Sequence, residues 1–214
     1  MDSDMHSDMH SDMHSASLHA APARRLLHVG CGPRNQARLP ACLRAPGWDE
    51  IRFDIDVGVS PDIVGSIVDL GMIGDASIDA VYSSHNLEHL DGCDVPRALA
   101  EFRRVLRPDG FALITLPDLR AIALEIVAGR LSTPLYHSAA GPITPLDVLF
   151  GHQKALAEGR RFMAHRTGFT STSLGQALLG AGFHEVRVHQ GQAWDLWALA
   201  SMPASGPQVF EQLA

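Results

Sequence analysis

The chain has 214 residues, 46% of them hydrophobic, and a formal net charge of −7 at pH 7. This length suits one domain with a substantial core, and the sequence lacks a run of about 18 apolar residues that could span a bilayer. The negative charge argues against broad binding to nucleic-acid phosphates, which requires a positive face. We therefore expect a soluble protein with neither nucleic acid nor membrane as a partner, while its oligomeric state stays open.

The three cysteines have no metal-type spacing, and an odd count gives no disulfide framework, so reduced thiols and no metal site are expected. The N-terminus lacks the basic start and apolar core of a secretory signal, which predicts a cytoplasmic location. Residues 1–20 contain Ser-Asp-Met-His three times and nothing to bury, which predicts a disordered tail. Histidines of this tail could capture Ni or Cu ions, but a flexible tract is not a preformed site. Residues 21–214 are expected to form one domain.

Short apolar runs then alternate with segments of helical periodicity, which predicts an α/β fold. Strands are predicted at 26–29, 51–54, 62–64, 79–83 and 111–116, with a helix at about 95–106 and a turn at 107–110. Strands that alternate with helices form a mostly parallel, doubly wound, Rossmann-like sheet covered on both faces. After a helix at 173–179, strands at 183–189 and 194–200 lie close in sequence, which predicts an antiparallel hairpin at the sheet edge.

A long segment at about 118–170 separates the fifth strand from the last helix. It is longer than one crossover needs, and Pro134, Pro142 and Pro145 divide it into short pieces. Ligands of open α/β sheets bind beyond the carboxyl ends of the strands. We therefore predict that this segment forms a cap over those ends and determines what the protein acts on.

The chemistry-bearing residues begin with Gly30-Cys31-Gly32, between the first strand and a predicted helix. Missing side chains there let a ligand approach backbone N–H groups and the positive end of the helix, although a tight turn without a ligand has the same residues. Asp54 ends the second strand about 20 residues later, where an acid in such folds binds ribose hydroxyls. Asp56 is the alternative, and either acid could simply cap a turn.

Five motifs in order resemble the class I SAM-dependent methyltransferases, particularly the small bacterial type 11 group: LLHVGCGP, IRFDID, PDIVGSIVDL, SIDAVYSSHNLEHL and FRRVLRPDGFALITLP. The resemblance covers residues 26–117 and, more loosely, 170–200. It implies a seven-stranded sheet, S-adenosylmethionine (SAM) as cofactor, and methyl transfer to a small molecule or a peptide side chain. It also implies a cofactor site in which the glycine loop approaches the methionine part, Asp54 the ribose, Ser66 and Ile67 the adenine, and Ser83, Ser84 and His85 the methyl end.

Three positions depart from the family pattern. His28 replaces an acid before the glycine loop, Arg34 a third glycine, and Ser66 an aspartate beside adenine. A lost carboxylate removes a charge-assisted acceptor worth about 1.5–3 kcal/mol, so a non-catalytic SAM-binding or scaffold domain is an alternative. An NAD-dependent oxidoreductase shares the glycine turn and the acid, but the G-x-G-x-x-G pattern is absent.

Methyl transfer depends mainly on alignment, and a general base is needed only for a protonated acceptor. Histidine titrates in the right range. His85 is the first candidate because it follows the fourth strand directly, and His165 and His152 of the cap come next. A structural or surface role is the alternative for each of them. His89 and His137 are further candidate bases, and Arg166 is a candidate clamp for an anionic acceptor, each with a structural or surface role as the alternative. Glu88 is expected to be structural, as an acid at a helix end. Trp194 and Trp197 are expected to pack in the core from one face of the last strand.

Overall fold

The computed structural model describes residues 23–138 and 140–213, so the tail predicted at 1–20 lies outside the described residues. These described residues contain nine strands: β1 (Arg24–Val29), β2 (Trp48–Asp54), β3 (Ile63–Val64), β4 (Ile78–Ser84), β5 (Leu106–Pro117), β6 (Tyr136–Ser138), β7 (Gly141–Ile143), β8 (Glu185–Gln190) and β9 (Asp195–Ser201). The helices are α1 (Ala41–Arg44), α2 (Val95–Val105), α3 (Leu119–Val127), α4 (Pro145–Phe150), α5 (Gln153–Ala157) and α6 (Ser171–Gly180). Single 3-10 turns occupy 36–38, 57–59, 87–89, 161–163 and 207–213.

Seven strands form the main sheet in the order β3-β2-β1-β4-β5-β9-β8. β1 to β5 pair in parallel, while β9 is antiparallel to both β5 and β8. This confirms the predicted Rossmann-like sheet with an antiparallel hairpin at its edge. The small β6-β7 hairpin forms a separate sheet within the insert.

The sheet is buried on both faces because its central strands carry nearly continuous apolar runs, whose successive side chains point to opposite faces. Leu27 and Val29 of β1 contribute to one cluster, into which α2 and α6 also pack. Leu26 belongs to a second cluster on the opposite face, which the 3-10 turn at 207–213 covers with Val209 and Phe210. Parallel pairing of β1, β2, β4 and β5 places their carboxyl ends along one edge of the sheet.

One local expectation was met in its weaker form and another was wrong. The segment after the glycine loop, expected to be a loop or a short helix, contains only the 3-10 turn at 36–38 and the four residues of α1. Pro33 and Pro40 account for this, because a proline disfavours helical backbone at the preceding residue and donates no N–H. The turn predicted at 107–110 lies inside β5, where the register shifts between the pairs Ile78–Leu106 and Ala80–Phe111 and the intervening residues bulge out.

The insert between β5 and α6 folds into α3, the β6-β7 hairpin, α4, α5 and the turn at 161–163. Its chain closes on itself through a bridge between Gly151 and Ala164, and it returns to the sheet through a bridge between Asp118 and Phe169. We name residues 118–170 the cap. That it forms part of one domain with the sheet stays a prediction.

Among the described residues, no helix is both long enough and apolar enough to cross a membrane. The cytoplasmic location stays a prediction.

Candidate active site

The glycine loop after β1 adopts left-handed backbone at both of its glycines, with φ of +61° at Gly30 and +57° at Gly32. A Cβ at Gly30 would lie 2.7 Å from the Asn86 side chain, whereas one at Gly32 would meet nothing within 4 Å. The first glycine is therefore required by packing and the second leaves open space above the loop. Cys31 between them is buried, and burial raises the pKa of its thiol to about 11.

Asp54, at the carboxyl end of β2, binds the glycine loop directly. Its Oδ2 accepts a hydrogen bond from the Gly32 N–H at 2.8 Å, and its Oδ1 accepts one from the Asp56 N–H at 2.9 Å. Each carboxylate oxygen has a second lone pair with which it can accept a ligand hydroxyl. Asp56 is exposed and caps the turn at 57–59 by accepting from the Gly58 N–H. The preference for Asp54 over Asp56 stays a prediction, and this geometry supports it.

Arg52 is a residue of this loop that the sequence analysis missed. It is 2% exposed, and its guanidinium donates to the backbone carbonyls of Gly32, Ser60 and Val59. It thereby ties the glycine loop to the loop after β2. An arginine within a strand has no distinctive pattern in the sequence, because its burial depends on the loops that fold around it.

His28, at the position where the family pattern has an acid, lies beside an acid of the neighbouring strand. His28 is buried, and its Nδ1 lies 2.8 Å from Oε1 of Glu50 on the neighbouring strand. Burial lowers the pKa of His28 more than the contact with Glu50 raises it. Arg34 lies on the surface, with its guanidinium 3.8 Å from Asp62.

The other predicted cofactor residues follow neighbouring strands. Ser66 and Ile67 come after β3 and are partly exposed and buried, respectively. Ser83 at the end of β4 is fully buried, and its hydroxyl has no hydrogen-bond partner within residues 23–138 and 140–213. Ser84 accepts a hydrogen bond from the Thr115 hydroxyl at 3.0 Å.

A cavity of about 340 Å³ lies between the strand ends and the cap. On the sheet side it is lined by His85, which follows β4, and by Pro117, which ends β5. Arg38, which lies in the turn after the glycine loop, also lines it. The cap contributes histidines, aromatic residues and apolar residues: Tyr136, Ile143, Val148, His152, Met163 and His165. The three predicted catalytic histidines, His85, His152 and His165, therefore line one cavity.

His85 has a left-handed backbone with φ of +49°, a strained conformation for a residue with a side chain. Its backbone N–H donates to the Thr115 carbonyl, and its half-exposed ring places Nδ1 3.4 Å from Oε1 of Glu88. Burial within the cavity lowers the pKa of His85, but the contact with the Glu88 carboxylate outweighs it and raises the pKa overall.

Glu88 is buried in the turn at 87–89, between the sheet and the cap. Burial raises the pKa of its carboxyl, but the contacts with His85 and with two further histidines, His89 and His165, lower it overall. Its backbone carbonyl accepts hydrogen bonds from the N–H groups of Arg166 and Thr167 in the returning cap segment. Glu88 therefore connects the cap to the cavity, a role that the sequence does not indicate.

The cap fixes the orientation of two cavity histidines. Nδ1 of His89 lies 3.1 Å from the Ala164 carbonyl, and Nδ1 of His165 lies 2.7 Å from the Val148 carbonyl. The two rings pack edge to face with centroids 4.8 Å apart. Burial lowers the pKa of His165, which favours its neutral form.

The two tryptophans do not share a face, and this expectation was wrong. Trp194 precedes β9 with φ of +54°, lines the cavity and stacks against Tyr136 at 6.4 Å between ring centroids. Trp197, three residues later, packs against the second core cluster. A separation of three places side chains on opposite faces of a strand, because the strand period is two. Arg166, the predicted clamp, pairs with Asp91 at 3.3 Å.

The fold of this chain, and the sequence of its first five sheet strands, are similar to those of known proteins. The family described as a methyltransferase domain matches residues 27–114. One similar solved structure is a SAM-dependent methyltransferase from Archaeoglobus fulgidus, with 14% sequence identity, a TM-score of 0.53, and coverage of 84% of this chain and 86% of that chain. Another is a SAM-dependent methyltransferase from Methanosarcina mazei, with 15% identity, a TM-score of 0.54, and coverage of 86% of this chain and 94% of that chain. Residues 27–114 thus match a methyltransferase domain, and these solved structures share the fold of the chain. A protein from Pyrococcus horikoshii shares the fold, with 14% sequence identity, a TM-score of 0.58, and coverage of 84% of this chain and 82% of that chain. No curated protein sequence matches the chain.

The described residues fit SAM, the cofactor that the resemblance implies. Asp54 has spare acceptor capacity for ribose hydroxyls, and the open space beside Gly32 admits a ligand close to the backbone. The chain thus keeps the glycine loop and the acid predicted to bind the ribose, despite its three departures from the family pattern.

Proposed function

We propose that the protein transfers the methyl group of SAM to a small molecule or a peptide side chain held in the cavity under the cap. The observation that supports this most strongly is the extent of the cavity. Its lining runs from Arg38, in the turn that follows the glycine loop in sequence, past His85 at the end of β4, to the cap residue His152. An acceptor bound there would lie beside the predicted methyl end of the cofactor site.

The size and lining of the cavity support a compact acceptor. Its volume of about 340 Å³ is near the lower end of small-ligand sites, which span roughly 300–1,000 Å³. Stacked aromatic rings of Tyr136 and Trp194 offer a flat apolar surface on one side. Arg38 is exposed at the rim and has no ion pair within the described part of the chain, so it can attract an anionic group on the acceptor.

Bound SAM supplies a methyl group on a positively charged sulfur, which is already activated for transfer. The protein's contribution is therefore to align the acceptor and to exclude water, and alignment alone can supply several kcal/mol. The cap performs both tasks in this proposal, because its residues close over the strand ends and line the cavity.

For a protonated acceptor we propose His85 as the base. Glu88 Oε1 faces its Nδ1, an arrangement in which a carboxylate orients an imidazole and leaves Nε2 to accept a proton. His152 and His165 line the same cavity and are the further candidates. A His85→Gln variant should keep SAM affinity and lose kcat by about 10²–10⁴-fold with an acceptor that must lose a proton.

Calorimetric titration with SAM, S-adenosylhomocysteine and NAD tests the cofactor assignment. We expect saturable SAM binding that Asp54→Ala abolishes and Asp49→Ala leaves unchanged, since Asp49 is an exposed acid on the same strand. A preference for NAD, or equal SAM binding by both variants, would contradict the assignment. An acceptor screen that follows S-adenosylhomocysteine release then tests catalysis, because a non-catalytic SAM sensor binds the cofactor without forming this product.

A further inference from the structure

Three side chains beside the cavity form a cluster with the composition of a metal site. Glu88, His89 and His165 each offer one ligand atom, and these atoms lie within 4.8 Å of one another. We name these three residues the metal triad. Glu88 and His89 come from the turn after β4, whereas His165 comes from the cap.

The carboxylate of Glu88 lacks the hydrogen bonds that a buried charge requires. The residue is 1% exposed, and neither of its oxygens has a hydrogen-bond partner within residues 23–138 and 140–213. Its nearest cationic group, Nδ1 of His85, lies 3.4 Å away. Buried charges are stable when they are paired or when they coordinate a metal ion. The carboxylate therefore has free coordinating capacity.

Both histidines are oriented as metal ligands are. A carbonyl oxygen only accepts, so the contacts of Nδ1 with Ala164 in His89 and with Val148 in His165 place the ring proton on Nδ1. The lone pair of Nε2 is then free in each ring. Metal-binding histidines commonly donate their other ring N–H to a backbone carbonyl in this way, which fixes tautomer and ring orientation.

We propose that Glu88, His89 and His165 bind one divalent transition-metal ion of the zinc type. Two imidazoles and one carboxylate form the protein part of many catalytic zinc sites, where a further position is open to water or substrate. His89 and His165 line the cavity, so the open position faces it. This assigns a site where the sequence analysis expected none.

The ion would also define the acceptor class, an inference that rests on the function proposed above. A divalent ion lowers the pKa of a bound hydroxyl and so generates a nucleophile near neutral pH. The geometry therefore favours an acceptor with a hydroxyl group that coordinates the ion. Metal coordination would occupy His165 and leave His85 and His152 to accept the proton.

Metal binding is tested without SAM or acceptor, so its failure is separate from failure of the proposed function. The test uses a full-length protein in which His6, His10, His14 and His19 are replaced by asparagine, because the tail would bind metal itself. Zn²⁺ is titrated by calorimetry, and Co²⁺ by its visible absorption, which reports coordination by nitrogen ligands. We expect one equivalent of each ion to bind.

Variants then assign the ligands. Glu88→Gln, His89→Asn and His165→Asn should each weaken Zn²⁺ binding by at least about 100-fold, since loss of even an outer partner costs 10–100-fold. His184→Asn, an exposed histidine outside the cavity, is the matched control and should bind as the parent does. Circular dichroism tests whether each variant is folded, and the ligand assignment rests on the variants that are. Unchanged Zn²⁺ affinity in a folded triad variant, or no binding by the parent, would overturn the proposal.

Discussion

Alanine at the two loop glycines should have very different effects on stability. Both positions need left-handed backbone, which costs a residue with a side chain about 1–2 kcal/mol. At Gly30 the new Cβ would also lie 2.7 Å from the Asn86 side chain, and such overpacking costs about 1–3 kcal/mol more. We expect Gly30→Ala to lower the free energy of unfolding by about 2–5 kcal/mol and Gly32→Ala by about 1–2 kcal/mol. Urea denaturation at 25 °C measures both.

A double-mutant cycle isolates the contribution of the contact. Asn86→Ala removes the side chain that the new Cβ would meet, so Gly30→Ala in that background should recover about 1–3 kcal/mol. The same cycle with Gly32→Ala should give no coupling, because nothing lies within 4 Å of its Cβ. Equal costs at the two glycines, or no recovery in the double variant, would refute the packing argument.

The variant Gly32→Ala tests cofactor binding separately from stability. A methyl group at Gly32 would occupy space that the protein leaves open and that we assign to SAM. We expect at least about a tenfold loss of SAM affinity, equivalent to about 1.4 kcal/mol, in a protein that remains folded. Unchanged SAM affinity in Gly32→Ala would place the cofactor elsewhere.

Three further predictions concern the framework around the site. Arg52→Met removes the charged hydrogen bonds to the carbonyls of Gly32 and Ser60, so it should lower the free energy of unfolding in urea denaturation by about 3 kcal/mol. A decrease of less than about 1 kcal/mol would contradict this role. His28 has a pKa below its ordinary value of 6.5, so unfolding takes up a proton as pH falls. Stability should therefore be greatest above pH 6.5 and fall below it, and His28→Gln should reduce that fall in urea midpoints; an unchanged slope would show that other groups cause it. Gly151→Ala would drive a Cβ into the Met163 carbonyl and should speed hydrogen exchange in the cap, whereas Gly159→Ala, also at positive φ but in open space, should have a small effect.

Local patterns were sufficient to predict the sheet and the glycine loop. Apolar runs followed by glycine identify β1 and its loop, and an acid directly after apolar residues identifies the end of β2. Such features depend on neighbours in sequence, so they are visible without the fold. The antiparallel hairpin was predictable for the same reason, because two short strands separated by a few residues pair with each other.

Features that depend on distant contacts were not predictable. His165 meets His89 only because the cap returns across the turn at 87–89, through hydrogen bonds to the Glu88 carbonyl. The burial of Arg52 likewise depends on two loops that close around it. The shortness of α1 after the glycine loop follows from local sequence, since Pro33 and Pro40 both restrict helical backbone there.

The backbone N–H groups of Arg166 and Thr167 donate to the Glu88 carbonyl and so hold the cap against the turn at 87–89. The position of the cap therefore determines which side chains line the cavity. While these bonds hold, His165 stays beside His89, and its own Nδ1 is anchored to the Val148 carbonyl on α4. If the cap swings away to admit an acceptor, the bonds break and the imidazole leaves with it. Opening of that kind would disperse the histidine cluster and closure would assemble it, so the cluster would be complete only while the cap shuts out solvent.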